Sequence, residues 1–375
     1  MANIVSVLYD DPKDGHPVTY ARDGIPSIEI YADGQTTPSP AAIDFRPGEL
    51  LGDTTGALGL GDFIAARGHT LTVVSDHDGP DSRFDLALPE ADIVILQACW
   101  PALLTQQRIA LAGKLRLVIV AGDGADDIDL DAAATRGITV AEITHSTSTS
   151  TAEYALLLIL SLVHNAGPAV AASSGPTRSI ADYAHRAYDL EAMQVGIVGA
   201  GRVGLAVLRR LRPFDVRLHY TDPRRLPLAV EDDLRLTYHP NAEAMAPICD
   251  VVSLHSPLRK ATANLFDTTM IAEMKRGAYL VNTAHTGLCD PGAVAHALET
   301  GRLAGYAADS PIRSGTPTHI AGLSLSAQAR YAAGVREVLE CWFDDVPIRG
   351  DYLTLDRGRP TSRAERSYGI RRYRE

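Results

Sequence analysis

Short apolar runs alternate with amphipathic stretches over most of this chain. Ile4 to Tyr9 reads as a strand. From residue 58 the alternation becomes regular. The pattern predicts a helix over 58–67 that stops at Gly68, a strand over Thr70–Val74, a strand over Ile93–Leu96 and a helix near Thr105–Leu111. Strand Leu115–Val120, a helix near Leu130–Arg136 and strand Ile138–Val140 follow. Apolar spacing that switches between period two and period 3.6 in this way argues for βα units and a parallel sheet with helices on both faces.

A second series of the same kind begins at residue 194. It comprises strand Gln194–Val198, a helix from about Gly201 to Leu211, strands Val216–Tyr220 and Val251–Leu254, and a helix near Thr268–Met274. Strand Ala278–Asn282, a helix from about Asp290 to Thr300, strand Gly305–Ala308 and a last long helix over Ala327–Phe343 complete it. Between the two series, the polar run 144–151 reads as an interdomain linker or as the N-cap region of the next helix. That helix, Ala152 to Val163, is apolar nearly all round, which predicts burial between domains or subunits. Residues 10 to 55 are rich in Asp, Pro, Gly and Thr with weak periodicity and read as a long surface excursion. Gly167 to Thr177 reads as a loop of small residues. The predicted fold class is α/β, with two Rossmann-like doubly wound domains, parallel sheets and a cleft between them.

The clearest chemistry lies at the start of the second series. Gly199-Ala200-Gly201-Arg202-Val203-Gly204 follows a strand and opens a helix. In a dinucleotide site the first glycine of this pattern permits a tight turn. The second lets the backbone approach a pyrophosphate, and the third lets helix and strand pack closely. The helix N-terminus then offers free N–H groups and a positive dipole end to phosphate. Asp222 ends the next strand, 18 residues after Gly204. An acid there accepts hydrogen bonds from ribose hydroxyls and repels a 2′-phosphate, which favours NAD over NADP. Arg224 and Arg225 pull the other way, because an arginine nearby can receive the extra phosphate.

Composition adds exclusions. Of 375 residues, 46% are hydrophobic and 22% charged, as expected of a globular protein. Basic residues number 35 and acidic ones 46, for a net charge of −11. That disfavours nonspecific nucleic-acid binding, which needs a basic footprint. The arginines crowd the C-terminal end (Arg357, Arg359, Arg363, Arg366, Arg371, Arg372 and Arg374), as a solvated tail or as one folded over an anionic ligand. Cys99, Cys249, Cys289 and Cys341 are far apart and form no C-x-x-C pair, so neither zinc nor a disulfide framework is indicated, and a reduced cytoplasmic setting fits. The first residues carry acids where a secretory signal has a basic region. The longest apolar run, Ala155 to Val163, is too short to span a bilayer, so no membrane association is expected.

Over residues 3 to 353 the sequence resembles the NAD-dependent formate dehydrogenases of the D-2-hydroxyacid dehydrogenase superfamily. The resemblance is carried by VLYDDPKDGHPVTYARDGIP, GPDS, CWPALLT, YDLEAMQVGIVGAGRVGLAVLRRLRPFDVRLHYTD, CDVVSLHSPL, MKRGAYLVNTA, LETGRLAGYAAD and SAQARYAAGVREVLECWF. It implies a substrate domain from 1–147 plus 335–375, an NAD-binding domain from 148–334, and a homodimer joined through the coenzyme domain. It implies cofactor contacts from Gly199, Gly201, Arg202, Val203, Gly204, Asp222, Pro257, Thr283, Asp309 and His319, with Asp309 on the nicotinamide carboxamide. His319 matches the family's catalytic His.

The substrate positions depart from the family. Its N-T-A-R-G segment reads Asn282-Thr283-Ala284-His285-Thr286 here, so the arginine that clamps the substrate carboxylate is His285. The family's substrate-contacting Asn falls at Thr147, an apolar residue at Asp123, and an aromatic one at Cys99. Asp309 and His319 are ten residues apart, and the Gln or Glu that partners the His has no counterpart between them. Hydride loss from formate needs a cation for the carboxylate and little acid–base work. A hydroxy acid needs a general base as well. Arg313 is a candidate replacement cation, and Asp123 a candidate to orient a His or accept from a substrate hydroxyl. The uncompensated acid and the missing arginine argue against efficient formate oxidation. The sequence thus supports an NAD-dependent oxidoreductase acting on a small oxyanion- or hydroxyl-bearing substrate. The alternatives are a true formate dehydrogenase with Arg313 compensating, a dehydrogenase of a 2-hydroxy acid or a small phosphonate such as hydroxymethylphosphonate, and a non-catalytic NAD-binding paralogue.

Overall fold

The computed structural model describes residues 1–10, 24–31, 36–43, 50–98, 100, 102–167, 184–310 and 319–362. Numbered along the chain, the strands are β1 (Asn3–Val7), β2 (Thr70–Val74), β3 (Ile93–Gln97), β4 (Leu117–Ala121), β5 (Thr139–Glu142), β6 (Gln194–Val198) and β7 (Arg217–Thr221). They continue with β8 (Leu236–His239), β9 (Val251–Leu254), β10 (Ala278–Asn282), β11 (Leu303–Ala308), β12 (Leu353–Asp356) and β13 (Arg359–Pro360). The chain forms two compact units, one of Met1–Thr147 with Leu323–Glu375 and one of Ser148–Gly322.

The sheet of the first unit runs β13-β12-β5-β4-β3-β1-β2. Strands β3 and β4 read IVILQ and LVIVA and are buried at every position, because parallel strands are covered on both faces. Alternate residues point to opposite faces. Ile4, Ile93, Ile95, Leu117 and Ile119 join one core with Tyr331, Val335, Val338 and Leu339. Val5, Val94, Leu96, Val118 and Val120 join the other with Phe84, Ile109 and Leu130.

This packing corrects the expected domain limit. A return crossing at 334/335 would cut the helix Leu325–Phe343 in two. Its buried face lies on the first unit's sheet, so the whole helix belongs there and the crossing falls at 322/323. A β-carbon added to Gly334 would meet Cγ2 of Ile143 at 2.2 Å, so the helix lies close against the chain that leaves β5. The sheet is also not wholly parallel: β12 pairs antiparallel with β5 and with β13. The helix expected over 58–67 is broken. Leu58 takes a left-handed φ of 57° inside a turn over Ala57–Gly59, and the α-helix proper is Gly61–Ala66.

The sheet of the second unit, read from one edge, is β8-β7-β6-β9-β10-β11, with all neighbours parallel. The order reverses between β6 and β9, which is the doubly wound dinucleotide-binding arrangement. The helix predicted from Ala152 starts at Ser148, so 148–151 form its first turn. Ala152, Ala155, Ile159 and Val163 pack with Val207, Leu208 and Leu211 of the helix Arg202–Leu211. The opposite side is open, with Leu157 54% exposed, so this helix is not covered all round within its unit. The helix Leu228–Leu234 and strand β8, which the sequence pattern did not announce, complete the edge of the sheet. Asp267, Asp290 and Ser324 cap the helices that follow them, as their side-chain oxygens accept backbone N–H groups of the first turn.

Candidate functional site

In an open α/β sheet, ligands bind outside the carboxyl ends of the strands, beside the point where strand order reverses. In the second unit that edge gathers most of the sequence-predicted residues. Gly199 leaves β6 with φ 91°, and a β-carbon there would lie 2.7 Å from Ser256 Oγ and 2.9 Å from the backbone of His255. His255 and Ser256 follow β9, so the two loops that flank the reversal touch. Gly204 is closed in the same sense, since a β-carbon would sit 2.0 Å from the Gly199 carbonyl oxygen. Gly201 is the opposite case. It is exposed, it stands at the N-cap of the helix Arg202–Leu211, and nothing lies within 4 Å of where its β-carbon would be. A tight turn, a close helix contact and one open backbone position are what a pyrophosphate cradle requires. Arg202 and Val203 form the first turn of that helix, both partly buried.

Asp222 stands at the end of β7. One carboxylate oxygen accepts the N–H of Ala200 at 3.0 Å and the other that of Arg224 at 2.8 Å, which ties the acid to the glycine loop. Arg225 does not compete with it. Its guanidinium donates to both oxygens of Glu231 at 2.8 and 2.7 Å and lies 5.2 Å from the ring centroid of Tyr238. Arg225, together with the Tyr220 hydroxyl, holds the Glu231 carboxyl below the usual carboxylate range. A guanidinium committed in this way is unavailable to a 2′-phosphate, which removes half of the sequence argument for NADP.

Thr283 follows β10 and is buried, with its hydroxyl 3.4 Å from Nδ1 of His255. His255 also meets the Ser253 hydroxyl at 2.9 Å through Nε2, and burial pushes its pKa down to about 3. Sequence reasoning passed over His255 and Ser256. The rule that ligands lie at the strand-order reversal, applied to the segment after β9, would have found them. Pro257, in the same segment, is exposed and its carbonyl accepts the Thr262 hydroxyl at 2.7 Å.

His285 and His319 come together, with ring centroids 6.4 Å apart. His285 Nδ1 accepts the N–H of Gly287 at 3.0 Å and caps the turn Thr286–Leu288. Its proton therefore sits on Nε2. Asp309 ends β11 and is buried. One of its oxygens lies 3.6 Å from Nδ1 of His319, and the other has no hydrogen-bond partner among the described residues. An orphaned carboxylate oxygen at this edge fits the amide of a nicotinamide carboxamide, and the open Gly201 backbone fits the diphosphate, so the residues present suit NAD.

In the first unit, Asp123 follows β4 and Thr147 follows the end of β5. The Thr147 hydroxyl donates to one Asp123 oxygen at 2.9 Å, and the backbone N–H of His145 donates to the other at 3.0 Å. Two positions that depart from the family pattern are thus hydrogen-bonded to each other. The fully buried Glu142, which sequence reasoning missed, accepts the N–H of Gly124 at 2.9 Å and steadies the same loop. Arg313, Cys99 and most of the arginine-rich C-terminal end lie outside the described residues, as does 168–177 of the predicted small-residue loop. A cavity of about 430 Å³ lined by Leu160, His164, Leu190 and Phe214 opens at the opposite, amino-terminal edge of the second sheet and holds none of these groups.

A six-stranded doubly wound sheet with this glycine loop and terminal acid defines a dinucleotide-dependent dehydrogenase unit. The family described as D-isomer specific 2-hydroxyacid dehydrogenase, NAD binding domain, matches residues 156–318. A formate dehydrogenase of Pseudomonas sp. (strain 101) is 52% identical over 383 residues, which covers 98% of this chain and 95% of that protein. The mitochondrial formate dehydrogenase of Solanum tuberosum is 36% identical over 82% of this chain and 84% of its own length. Among solved structures, a Granulicella formate dehydrogenase superposes with a TM-score of 0.90 at 51% identity, covering 96% of this chain and 100% of that one. The chain belongs to the formate dehydrogenase family within the D-2-hydroxyacid dehydrogenases, and it is an NAD-dependent oxidoreductase. Among the described residues, no helix is long and apolar enough to cross a membrane.

Proposed function

We propose that this oxidoreductase takes hydride from a small substrate bearing a hydroxyl or an oxyanion, and that formate is not its preferred substrate. The observation that carries this reading is His285. At the position of the family's clamp arginine stands an imidazole whose Nδ1 already accepts the N–H of Gly287. It offers one N–H and no fixed charge, whereas a guanidinium offers a charged fork to a carboxylate. We assign Gly199, Gly201, Gly204, Asp222, Thr283 and Asp309 to NAD binding, with Arg202, Val203 and Pro257 beside them. His319 is assigned as the base, with a contact to the cofactor, and Asp123 and Thr147 to substrate recognition. The bound NAD supplies the hydride acceptor. The reading extends to a cytoplasmic homodimer joined through the coenzyme unit, and the exposed Leu157 on the helix Ser148–Val163 supports that surface.

A second reading is formate oxidation proper, favoured by the 52% identity to the Pseudomonas formate dehydrogenase. The test is NADH formation by purified protein with NAD and, in parallel, formate, several D-2-hydroxy acids, phosphite and hydroxymethylphosphonate. Turnover of a hydroxylated compound or phosphite above formate is the expected result. Formate as the best substrate overturns it. Silence throughout, with NAD bound by the same sample, points to a non-catalytic NAD-binding protein.

A further inference from the structure

We propose that Glu231 is a positioning residue for coenzyme choice: it holds the Arg225 guanidinium away from the ribose edge of the nucleotide site and so turns away the 2′-phosphate of NADP. The inference rests on the assignment of Asp222 to the cofactor under Proposed function and deepens it. Glu231 acts only through that arginine.

Asp222 and Arg225 lie on one short loop, between the end of β7 and the helix Leu228–Leu234. Glu231 stands on that helix and is buried. Its carboxylate is met from two sides. Arg225 donates from Nε to Oε1 at 2.8 Å and from Nη2 to Oε2 at 2.7 Å, a bidentate fork. The hydroxyl of Tyr220, a fully buried residue of β7, also donates to Oε1 and accepts the N–H of Leu226 at 2.9 Å. The guanidinium lies 5.2 Å from the ring centroid of Tyr238 on β8, and that ring stands 5.3 Å from the ring of Tyr220. Two strands and a helix thus converge on one guanidinium. The Arg225 side chain is 55% exposed, against 6% for that of Glu231. The acid is the fixed member of the pair, and the arginine is the one that can swing when released.

A phosphate monoester carries about two negative charges and is met well by an arginine fork. On this loop the charges cancel. Arg224 is exposed and its backbone N–H donates to Asp222, so one cation stands beside one acid. Arg225 is matched by Glu231 in the same way. A 2′-phosphate arriving at Asp222 therefore meets no net positive charge and no open fork. The ribose hydroxyls of NAD ask only for an acceptor, which Asp222 supplies. Without the charge on Glu231, the loop gains one net positive charge, carried on a guanidinium whose donors are no longer held. The arginine that spacing marks as an NADP feature is thus present but disarmed by an acid six positions on.

Coenzyme binding tests this without turnover. Fluorescence titration of the full-length protein gives Kd for NADH and NADPH, and calorimetric titration with ADP and adenosine 2′,5′-bisphosphate isolates the adenosine half. Glu231→Gln keeps the shape and an acceptor for Tyr220 and removes the charge. It should tighten NADPH binding at least about tenfold, the contribution of one charged hydrogen bond, and leave NADH within about twofold. Glu231→Gln/Arg225→Gln should lose the gain. A carboxylate that only fastens the helix would, once replaced, weaken both coenzymes alike, and that result overturns the proposal. So does a gain that survives in the double variant. If Glu231→Gln does not fold, Arg225→Gln decides. With the arginine already withdrawn, the ratio of the two Kd values should match the wild type within about twofold, and a relative loss of NADPH affinity of about tenfold overturns the proposal. Asp222→Asn tests the underlying assignment apart and should weaken NADH binding. Unchanged NADH affinity there overturns the ribose assignment and the proposal together, whereas the other failures overturn the proposal alone.

Discussion

His285 accepts the backbone N–H of Gly287 at Nδ1, 3.0 Å away, and so holds its own ring as an Nε2–H donor. Protonation of Nδ1 would set two N–H groups against each other and release the turn Thr286–Leu288. The ring is thus a poor substitute for a fixed cation, and a charge restored at this position should restore carboxylate binding. His285→Arg is expected to raise kcat/KM for formate by at least about tenfold, since a charged hydrogen bond contributes about 1.5–3 kcal/mol and 1.4 kcal/mol is a factor of ten. Initial rates of NADH formation at saturating NAD measure it. An unchanged rate would mean that another group already holds formate.

The glycine loop predicts two different outcomes for one kind of substitution. A β-carbon at Gly204 would lie 2.0 Å from a backbone oxygen of Gly199, whereas at Gly201 it would meet nothing within 4 Å. Gly204→Ala should therefore lower Tm and weaken NADH binding together. Gly201→Ala should leave Tm within about a degree, as for a surface change, yet raise the NADH Kd at least tenfold, because the methyl intrudes only where the ligand's diphosphate belongs. Thermal unfolding and NADH fluorescence on the same samples separate the two. Equal effects in both would deny that the open space at Gly201 is the ligand's.

The sheet order, the glycine loop and Asp222 were legible because each rests on local rules: period, turn stereochemistry and the chemistry of a strand end. The return of the chain was misplaced because the helix Leu325–Phe343 continues a periodic pattern that carries no mark of which sheet it will cover. Only its packing against β4, in one core with Leu117 and Ile119, decides that. The antiparallel β12 was missed for a related reason, since four residues at a sheet edge have little periodicity to read. At the site, Asp123 reads from the sequence as an uncompensated acid. Its partners, Thr147 and His145, are distant in sequence, and a hydrogen bond across that distance leaves no trace in spacing.

That pair has its own consequence. His145 sits at φ 68°, a left-handed conformation that a non-glycine residue adopts only when held there. The Asp123 carboxylate is one of the groups that hold it. Asp123→Ala should cost about 1–3 kcal/mol, the penalty for stranding two donors, whereas Thr147→Val should cost about 1 kcal/mol. Over a unit of this size these correspond to Tm losses of about 2–12 °C and about 2–4 °C. Urea or thermal melts followed by circular dichroism check the order. If Asp123→Ala were neutral, the turn would be held by other means.

Acid should destabilise the second unit through a partly buried pair of imidazoles. Nδ1 of His219 on β7 meets Nε2 of His239 on β8 at 3.0 Å, and Nε2 of His219 meets the Gln194 amide oxygen at 2.5 Å. The chain of contacts is satisfied when Gln194 accepts from Nε2–H of His219 and Nδ1 accepts from Nε2–H of His239, with both rings neutral. Burial first, then the charge of His239, pushes the His219 pKa down from 6.5 to about 4, and burial lowers that of His239 as well. A depressed histidine pKa means that the unfolded chain binds more protons than the folded one between those two values. Stability is then full above about pH 6.5 and falls as pH drops toward 4. His219 is only 8% exposed, and its share of the loss should be about 1–3 kcal/mol. His219→Gln, which keeps a polar group without a titrating proton, should flatten the pH dependence of Tm between pH 6.5 and 4 while lowering Tm at neutral pH. A slope as steep in the variant as in the wild type would place the acid sensitivity elsewhere, with the neutral His255 beside the glycine loop as the next group to test.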